Sequence, residues 1–326
     1  MKLSVIIPVY NVEKYVIRCI NSVIQNDLES SAYEIIIVDD ESPDDSVKTI
    51  KSYFQDVANL KVISQKNKGL GGARNTGILN AKGTFLLFLD ADDYLVPNTL
   101  SQIVNKAIAT QLEVLEFGAQ GVLENGAVCY TLSNSSNNLI FEGMEYYQKV
   151  RYANSACNKL YSTDFLRNNQ LFFEEQLYIE DFEFNTRVFL QAKRMLAVET
   201  IVGQFLQTPN SITRNVSFAK KEKMQNDIER VMVITNQLYS KSANQDAFFK
   251  ERLGFLLATL IVQMIKNNSD YQTIHLKIED LKTKKLFFVN HKLFDRSKNL
   301  FRILFLKHSL LLKLALPLYR FLNRKS

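Results

Sequence analysis

Thr84-Phe85-Leu86-Leu87-Phe88-Leu89-Asp90-Ala91-Asp92-Asp93 is an apolar run that closes on three carboxylates within four positions. Its first part, through Leu89, reads as a short strand covered on both faces, because no polar residue alternates with the apolar ones. Four more short β-branched runs are strand candidates: Leu3 to Val9, Glu34 to Val38, Leu60 to Ser64 and Glu113 to Phe117. Helical patterns fit between them. Ser42-Pro43-Asp44-Asp45 is expected to open one such helix, with Ser42 at the N-cap, Pro43 preset for the first helical position and two acids facing the positive end of the dipole. Continuous apolar strands separated by helices predict an α/β fold, Rossmann-like, with a mostly parallel sheet flanked by helices. Ligands of such sheets bind beyond the carboxyl ends of the strands, where Asp39-Asp40 and Asp90-Ala91-Asp92-Asp93 both fall.

Three carboxylates so close together repel one another, and a divalent cation among them turns that repulsion into binding. Mn2+ or Mg2+ takes oxygen ligands and combines one or two carboxylates with substrate phosphates, which is the chemistry of a nucleoside diphosphate site. The alternative is that Asp92 or Asp93 caps a helix opening near Pro97.

Four blocks together carry a resemblance: Ser4-Val5-Ile6-Ile7-Pro8-Val9-Tyr10-Asn11, Ile37-Val38-Asp39-Asp40-Glu41-Ser42, Asn67-Lys68-Gly69-Leu70-Gly71-Gly72-Ala73-Arg74-Asn75, and Leu89 to Asp93. In order, spacing and content, residues 1 to about 120 resemble the nucleotide-binding half of the family 2 glycosyltransferases, and the match weakens beyond Tyr161. The resemblance implies a GT-A fold, a nucleotide-sugar donor and transfer with inversion. It implies that Pro8 and Tyr10 line the base pocket and that one aspartate of Asp39-Asp40 accepts a hydrogen bond from the base, commonly uracil. Asp90 is expected to support the ribose hydroxyls, Asp92 to bind the metal directly, and Asp93 to stand behind it.

Lys68 and Arg74 add positive charge near the nucleotide, and each also admits a structural or solvated reading. The glycines do not spell a dinucleotide fingerprint, because after Gly69 and Gly71 the third position falls on Arg74, which blocks the close helix packing that motif needs. No Gly-Lys-Ser or Gly-Lys-Thr of a P-loop occurs either. Gly71 and Gly72 read equally as a tight helix start and as a place for close ligand approach.

Inverting transfer needs a carboxylate that takes the proton of the acceptor hydroxyl. Tyr178-Ile179-Glu180-Asp181-Phe182-Glu183-Phe184 resembles the family's Glu-Asp signature at a helix start, which implies Asp181 as base with Glu180 orienting it or the acceptor. The bland reading is that the two acids complement the helix dipole. In Ala156-Cys157-Asn158-Lys159-Leu160-Tyr161, Cys157 stands where many relatives carry tryptophan, so acceptor identity does not carry over. Lys159 is placed to reach the diphosphate or to sit in a salt bridge. Cys157 has no neighbouring histidine to activate it as a nucleophile. Arg214, in Pro209-Asn210-Ser211-Ile212-Thr213-Arg214, is a candidate phosphate contact.

The organisation expected is a nucleotide-sugar-binding half over residues 1–120, an acceptor-binding and catalytic-base half over 121–216, and a helical region with a basic amphipathic tail over 217–326. The 326 residues, 46% of them hydrophobic, suffice for an enzyme core. Three widely spaced cysteines support neither a disulfide framework nor a zinc site, and a reducing cytoplasm fits them. The formal charge of +6 is uneven: from Lys282 onward 12 Lys or Arg face one acid, a net of +11, which leaves −5 on residues 1–281. That distribution argues against a nucleic-acid partner for the catalytic part and for a tail that meets an anionic surface. Asn299 to Leu322 is too interrupted by charge and Pro317 to span a bilayer. Drawn as one helix, it gathers Arg302, Lys313, Arg320 and Arg324 on one side, which suits the inner face of the cell membrane, or alternatively packing on the enzyme or on a second copy in a homodimer. The expected partners are a nucleotide-sugar donor and a saccharide or lipid-linked saccharide acceptor, in bacterial surface polysaccharide synthesis. The alternatives are a nucleotidyltransferase on a related sheet, disfavoured by Pro8-Val9-Tyr10-Asn11 in place of a basic glycine loop after the first strand, and a non-catalytic nucleotide-sugar binder.

Overall fold

The computed structural model describes residues 1–150, 154–207, 217–241 and 245–323. The chain divides into two compact units, Met1–Arg214 and Asn215–Ser326. In the first, the elements in chain order are β1 (Leu3–Val9), α1 (Val16–Ile24), β2 (Tyr33–Asp39), α2 (Ser46–Tyr53), β3 (Leu60–Ser64), α3 (Gly69–Asn80), β4 (Phe85–Phe88), β5 (Tyr94–Leu95), α4 (Leu100–Ala109), β6 (Val114–Val122), β7 (Val128–Leu132), α5 (Gly143–Lys149), β8 (Lys159–Ser162), α6 (Thr163–Asn168), α7 (Glu180–Gln191) and β9 (Met195–Leu206).

The strands form one sheet in the order β3-β2-β1-β4-β8-β6-β9-β5, with β7 added beside β6. The β3-β2-β1-β4 half is entirely parallel, as the strand-and-helix alternation predicts. Past β4 the sheet turns mixed, because β8 enters antiparallel to both β4 and β6. Every residue of β1 and β2 is buried, which is why these strands are mostly apolar, and the two buried polar groups near their starts, Ser4 and Glu34, bond to each other at 2.7 Å. Leu3, Val5, Ile7 and Val9 share a core with Val16, Ile20 and Val23 of α1 and with Ile103 and Val104 of α4. The opposite face takes α3, whose Gly77 lies so close to β1 that an added Cβ would stand 2.3 Å from Ile6 Cγ2. Helices therefore cover both faces. Register pairs Val9 with Asp39 and Ile6 with Phe88, so Tyr10, Asp40 and Leu89-Asp90 emerge together at one sheet edge.

The α2 start differs from expectation. The helix opens at Ser46, not at Pro43. Ser42 instead accepts the N–H of Asn11 at 2.8 Å and donates to Asp44 at 2.7 Å, while Asp44 accepts from the Glu13 N–H at 2.9 Å. These polar residues tie the loop after β2 to the loop after β1. Partial burial alone would raise the Asp44 carboxyl, but the bonds from Ser46, Ser42 and Glu13 outweigh it and hold the group down at about 2.

The second unit is helical: α8 (Phe218–Ser240), α9 (Asp246–Lys266), α10 (Tyr271–Thr283), α11 (Arg296–Phe301), a π-helical turn Arg302–Leu306, and α12 (Ser309–Asn323). Ile228, Val231 and Met232 of α8 and Leu253, Leu256, Leu257, Leu260, Ile261 and Met264 of α9 are buried, as their spacing predicts. The tail is not one helix. The π turn and Lys307-His308 interrupt it, so the helical angles drawn across Asn299 to Leu322 do not carry through. Arg302 donates to Asn299 Oδ1 and to the Val289 carbonyl, and Arg320 donates to the carbonyls of Asn268 and Ser269, so both are directed onto their own unit. Among the described residues no helix is long and apolar enough to cross a membrane.

Candidate active site

At the nucleotide end, Tyr10 is half exposed just past β1, and Pro8 is buried within it. The two aspartates after β2 differ. Asp40 Oδ1 accepts from Gln65 Nε2 at 2.7 Å and from the Lys68 N–H at 2.8 Å, which anchors the loop into α3. Asp39 Oδ1 accepts only the Ser42 N–H, at 2.9 Å, and its second oxygen has no partner among the described residues. Asp40 Oδ2 likewise has no partner among the described residues, so the two differ in how firmly each is tied to the following loop. Lys68 is half exposed and stands 3.7 Å from Glu175.

The glycines of α3 serve packing. A Cβ on Gly71 would lie 2.5 Å from the Glu174 carbonyl and 3.0 Å from Phe173 Cβ. The approach is stitched by Asn75, which donates to the Phe173 carbonyl at 2.9 Å and accepts the Phe173 N–H at 2.7 Å, and by the Gln176 N–H on the Lys68 carbonyl at 3.1 Å. The segment leading to α7 is thereby fastened along α3, and the two acidic clusters come within reach of one side chain.

That side chain is Arg74, only 1% exposed. Nη1 donates to Glu180 at 2.9 Å and to Asp181 at 2.6 Å, and Nη2 donates to Asp90 at 2.9 Å. Cys157 Sγ lies 3.4 Å from Nη2. Burial works against the guanidinium's charge, and the surrounding carboxylates, Asp181 first and then Asp90, more than restore it. Asp181 is held from its other side by the Ala156 N–H on Oδ2 at 2.8 Å and keeps 24% of its side chain exposed. Burial, then the charge of Asp181, pushes Glu180 up to about 8 against the pull of Arg74. Glu180 is therefore the member of the pair whose charge its surroundings oppose.

The acids that follow β4 divide as sharply. Asp93 Oδ1 accepts the Leu206 N–H at 2.7 Å and fastens the end of β9. Asp92 has no hydrogen-bond or ion-pair partner for its carboxylate among the described residues, and burial followed by the neighbouring charge of Asp90 raises it to about 6. Neither caps a helix, because the free N–H groups at the start of α4 are taken by Asn26 Oδ1, from Thr99 and Leu100, and by Asp27 Oδ1, from Ser101. No group of three His, Cys, Asp or Glu among the described residues forms a ready metal cage. An unpartnered carboxylate beside Asp90 fits Mn2+ or Mg2+, which fill their remaining positions with phosphate and water.

Arg74, read as charge near the nucleotide or as structural, and Lys159, read as reaching the diphosphate or sitting in a salt bridge, are both buried on carboxylates. Lys159 Nζ donates to the Ser155 carbonyl and Asn158 Oδ1, each at 2.8 Å, and pairs with Glu116 at 3.5 Å. Burial presses its ammonium down, partly offset by Glu116 and Asp181. Burial lifts the Cys157 thiol well above its usual range, which leaves it a neutral packing group at neutral pH. Arg214 lies outside the described residues.

The sequence model of the family described as Glycosyl transferase family 2 matches residues 4–168, just over half of the chain and the part that holds Arg74, Asp90 and Asp92. The chain belongs to glycosyl transferase family 2. Within the family it is 32% identical over 216 residues to the Bacillus subtilis "Uncharacterized glycosyltransferase EpsJ", covering 64% of this chain and 62% of the relative. It is 31% identical over 198 residues to TarS of Staphylococcus aureus, a poly(ribitol-phosphate) beta-N-acetylglucosaminyltransferase, covering 60% of this chain and 34% of TarS. The chain therefore spans less than two thirds of the length of these relatives. Residues 1–349 of TarS, solved in complex with UDP-GlcNAc, superpose with a TM-score of 0.62 at 25% identity, covering 82% of this chain and 73% of that one. The fold is the GT-A fold.

Several positions in this family 2 site escaped the sequence reading. Arg18 of α1 donates to the Asp92 carbonyl at 3.1 Å and lies 4.3 Å over the Tyr94 ring, which fixes the loop that bears Asp92. Asn75 stood inside a quoted block without a role, and its partner Phe173 is 98 positions away. The Ala156 N–H carries no side-chain signal at all.

Proposed function

We propose that this glycosyltransferase moves a sugar from a nucleoside diphosphate donor, a UDP-sugar, to an acceptor hydroxyl with inversion, in bacterial surface polysaccharide synthesis. The observation that carries the reading is the single buried guanidinium of Arg74, which holds Asp90 of the donor end and Asp181 of the base on one frame. Solved TarS complexes with UDP-GlcNAc and with UDP supply the choice of nucleotide class.

In this reading Asp39 accepts from the base, Tyr10 and Pro8 flank it, Asp90 offers its free oxygen to the ribose, and half-exposed Lys68 approaches the phosphates. Arg74 and Lys159 act from beneath, on Asp90, Asp181 and Glu116. Asp181 takes the proton of the acceptor hydroxyl as that oxygen bonds to the anomeric carbon and the bond to the diphosphate breaks. Glu180, bonded to the same Arg74 nitrogen, orients Asp181 or the acceptor. A Mn2+ or Mg2+ ion held by Asp92 would supply charge compensation for the leaving diphosphate. A saccharide or lipid-linked saccharide supplies the hydroxyl, and the cytoplasm is the compartment where activated sugars are made.

The test is a screen of UDP-, GDP- and TDP-sugars for thermal stabilisation and donor cleavage, with and without Mn2+. A UDP-sugar that stabilises the protein by mass action and yields a product of opposite anomeric configuration supports the reading. Stabilisation by nucleoside triphosphates with pyrophosphate release points instead to nucleotidyl transfer.

A further inference from the structure

The helical unit leaves an apolar stripe uncovered. In α12, Leu312 and Leu316 are buried, whereas Leu310, Leu314 and Leu318 are 73%, 74% and 61% exposed. Their spacing of four sets the three exposed leucines in one row. Ile303 and Leu304 of the preceding π turn add exposed apolar surface next along the chain. A soluble surface scatters such residues singly, and a continuous row marks a contact.

Charge decides the kind of contact. The segment from Lys282 onward carries a net of +11. Arg302 and Arg320 are turned inward onto backbone carbonyls, so they do not supply the outward charge. Lys285, Lys292, Arg296 and Lys307 do, since their side chains have no hydrogen-bond or ion-pair partner among the described residues. Lys307 and His308 stand directly between the π turn and the leucine row, and with His275, Asn290, Lys282 and Glu279, the last two paired at 2.8 Å, they line an open cavity of about 400 Å³. A second copy of the chain docked on the same stripe would bring two strongly positive segments together, which like-charge repulsion opposes. An anionic lipid surface meets both features at once: acyl chains for the leucines and phosphates for the cations.

We propose that the unit docks on an anionic bilayer, with Leu310, Leu314 and Leu318 entering the acyl boundary and the Lys307-His308 cavity receiving a lipid phosphate. No donor, acceptor or metal enters this proposal, so it stands or falls apart from the assigned activity.

The experiment is co-sedimentation of the full chain with phosphatidylglycerol–phosphatidylcholine vesicles and with phosphatidylcholine vesicles. Binding is expected to the first and not the second, and to weaken with added salt. Each of Leu310→Gln and Leu314→Gln should lower the partition coefficient roughly tenfold, given the apolar area each leucine buries. Lys307→Gln should lower it about fivefold. These positions are exposed, so unchanged thermal melting verifies that each variant folds. Glycerol phosphate in solution that displaces the protein from vesicles supports the cavity as a phosphate site. Equal binding to both vesicle types, binding indifferent to the leucine changes, or a concentration-dependent dimer that the leucine changes dissolve would each overturn the proposal, the last by assigning the stripe to a second copy.

Discussion

Replacing Arg74 with methionine keeps most of the volume and removes the charge that joins the two acidic clusters. Arg74 donates to Glu180 at 2.9 Å, to Asp181 at 2.6 Å and to Asp90 at 2.9 Å. At roughly 1.5–3 kcal/mol for each charge-assisted bond, the simple sum is about 4.5–9 kcal/mol. That sum is a ceiling, because burial and the neighbouring Asp181 already raise Glu180 to about 8, so its bond to Arg74 carries less than a full charge. Asp90 and Asp181 remain as partly buried, uncompensated charges. Removing one partner of a buried pair costs about 3–5 kcal/mol, and the loss should fall there. For a unit of this size the melting temperature would drop by on the order of 10 °C. Arg74→Lys should recover little of it, since one ammonium cannot fork to three carboxylates. Adding Glu180→Gln to Arg74→Met should recover part, by deleting one of the orphaned acids. Thermal melting and chemical denaturation of the ligand-free protein measure all three. A melting temperature for Arg74→Met within about 2 °C of the parent, together with weaker donor binding, would refute the clamp and make Arg74 a solvent-facing phosphate contact.

Four other outcomes follow from the same geometry. Glu180 sits at about 8 against an ordinary 4.5, so between those values the folded state holds a proton the unfolded state has lost; stability of the ligand-free protein should fall as pH rises through that window, and Glu180→Gln should flatten the slope in melts at stepped pH. Asp92→Asn should stabilise the ligand-free protein at pH 8 by on the order of 2 kcal/mol, by removing a charge whose pKa is raised to about 6, while abolishing any Mn2+ enhancement of donor binding. Gly71→Ala puts a Cβ 2.5 Å from the Glu174 carbonyl, which is backbone and cannot swing aside, so a loss of about 1–3 kcal/mol is expected together with reduced activity, because the same contact sets the approach to α7. Asp39→Asn should weaken donor binding more than Asp40→Asn alters it at equal stability, while Asp40→Asn should cost more in melting temperature, because Asp40 holds the Gln65 and Lys68 bonds.

The parallel half of the sheet could be read directly because β1 and β2 are buried along their whole length, so apolar residues fill them apart from the hydrogen-bonded pair Ser4 and Glu34 and the terminal Asp39. The same physics placed the acids: a buried strand that must end at the sheet edge puts its first polar residues where ligands bind. Where polar side chains serve distant loops, local rules misled. Ser42-Pro43-Asp44-Asp45 has the composition of a helix start, yet Ser42 and Asp44 bind the backbone of Asn11 and Glu13, and α2 begins only at Ser46. Arg74 was read as a charge near the nucleotide or as a structural group, and nothing local chose between the two, because its partners Glu180 and Asp181 lie 106 and 107 positions away. The tail suffered from the opposite error. A helical wheel assumes one unbroken helix, and the π turn with Lys307-His308 resets the angle between Arg302 and Arg320.

The central claim is that Asp181 removes the acceptor proton on a frame that Arg74 shares with the donor end. The most direct measurement compares Asp181→Asn with the parent for two quantities, donor affinity by titration and the rate of sugar transfer to an acceptor hydroxyl. The account predicts donor affinity within a few-fold of the parent and a transfer rate lower by roughly 10²–10⁴. A transfer rate within about threefold of the parent, at unchanged donor affinity, would contradict it.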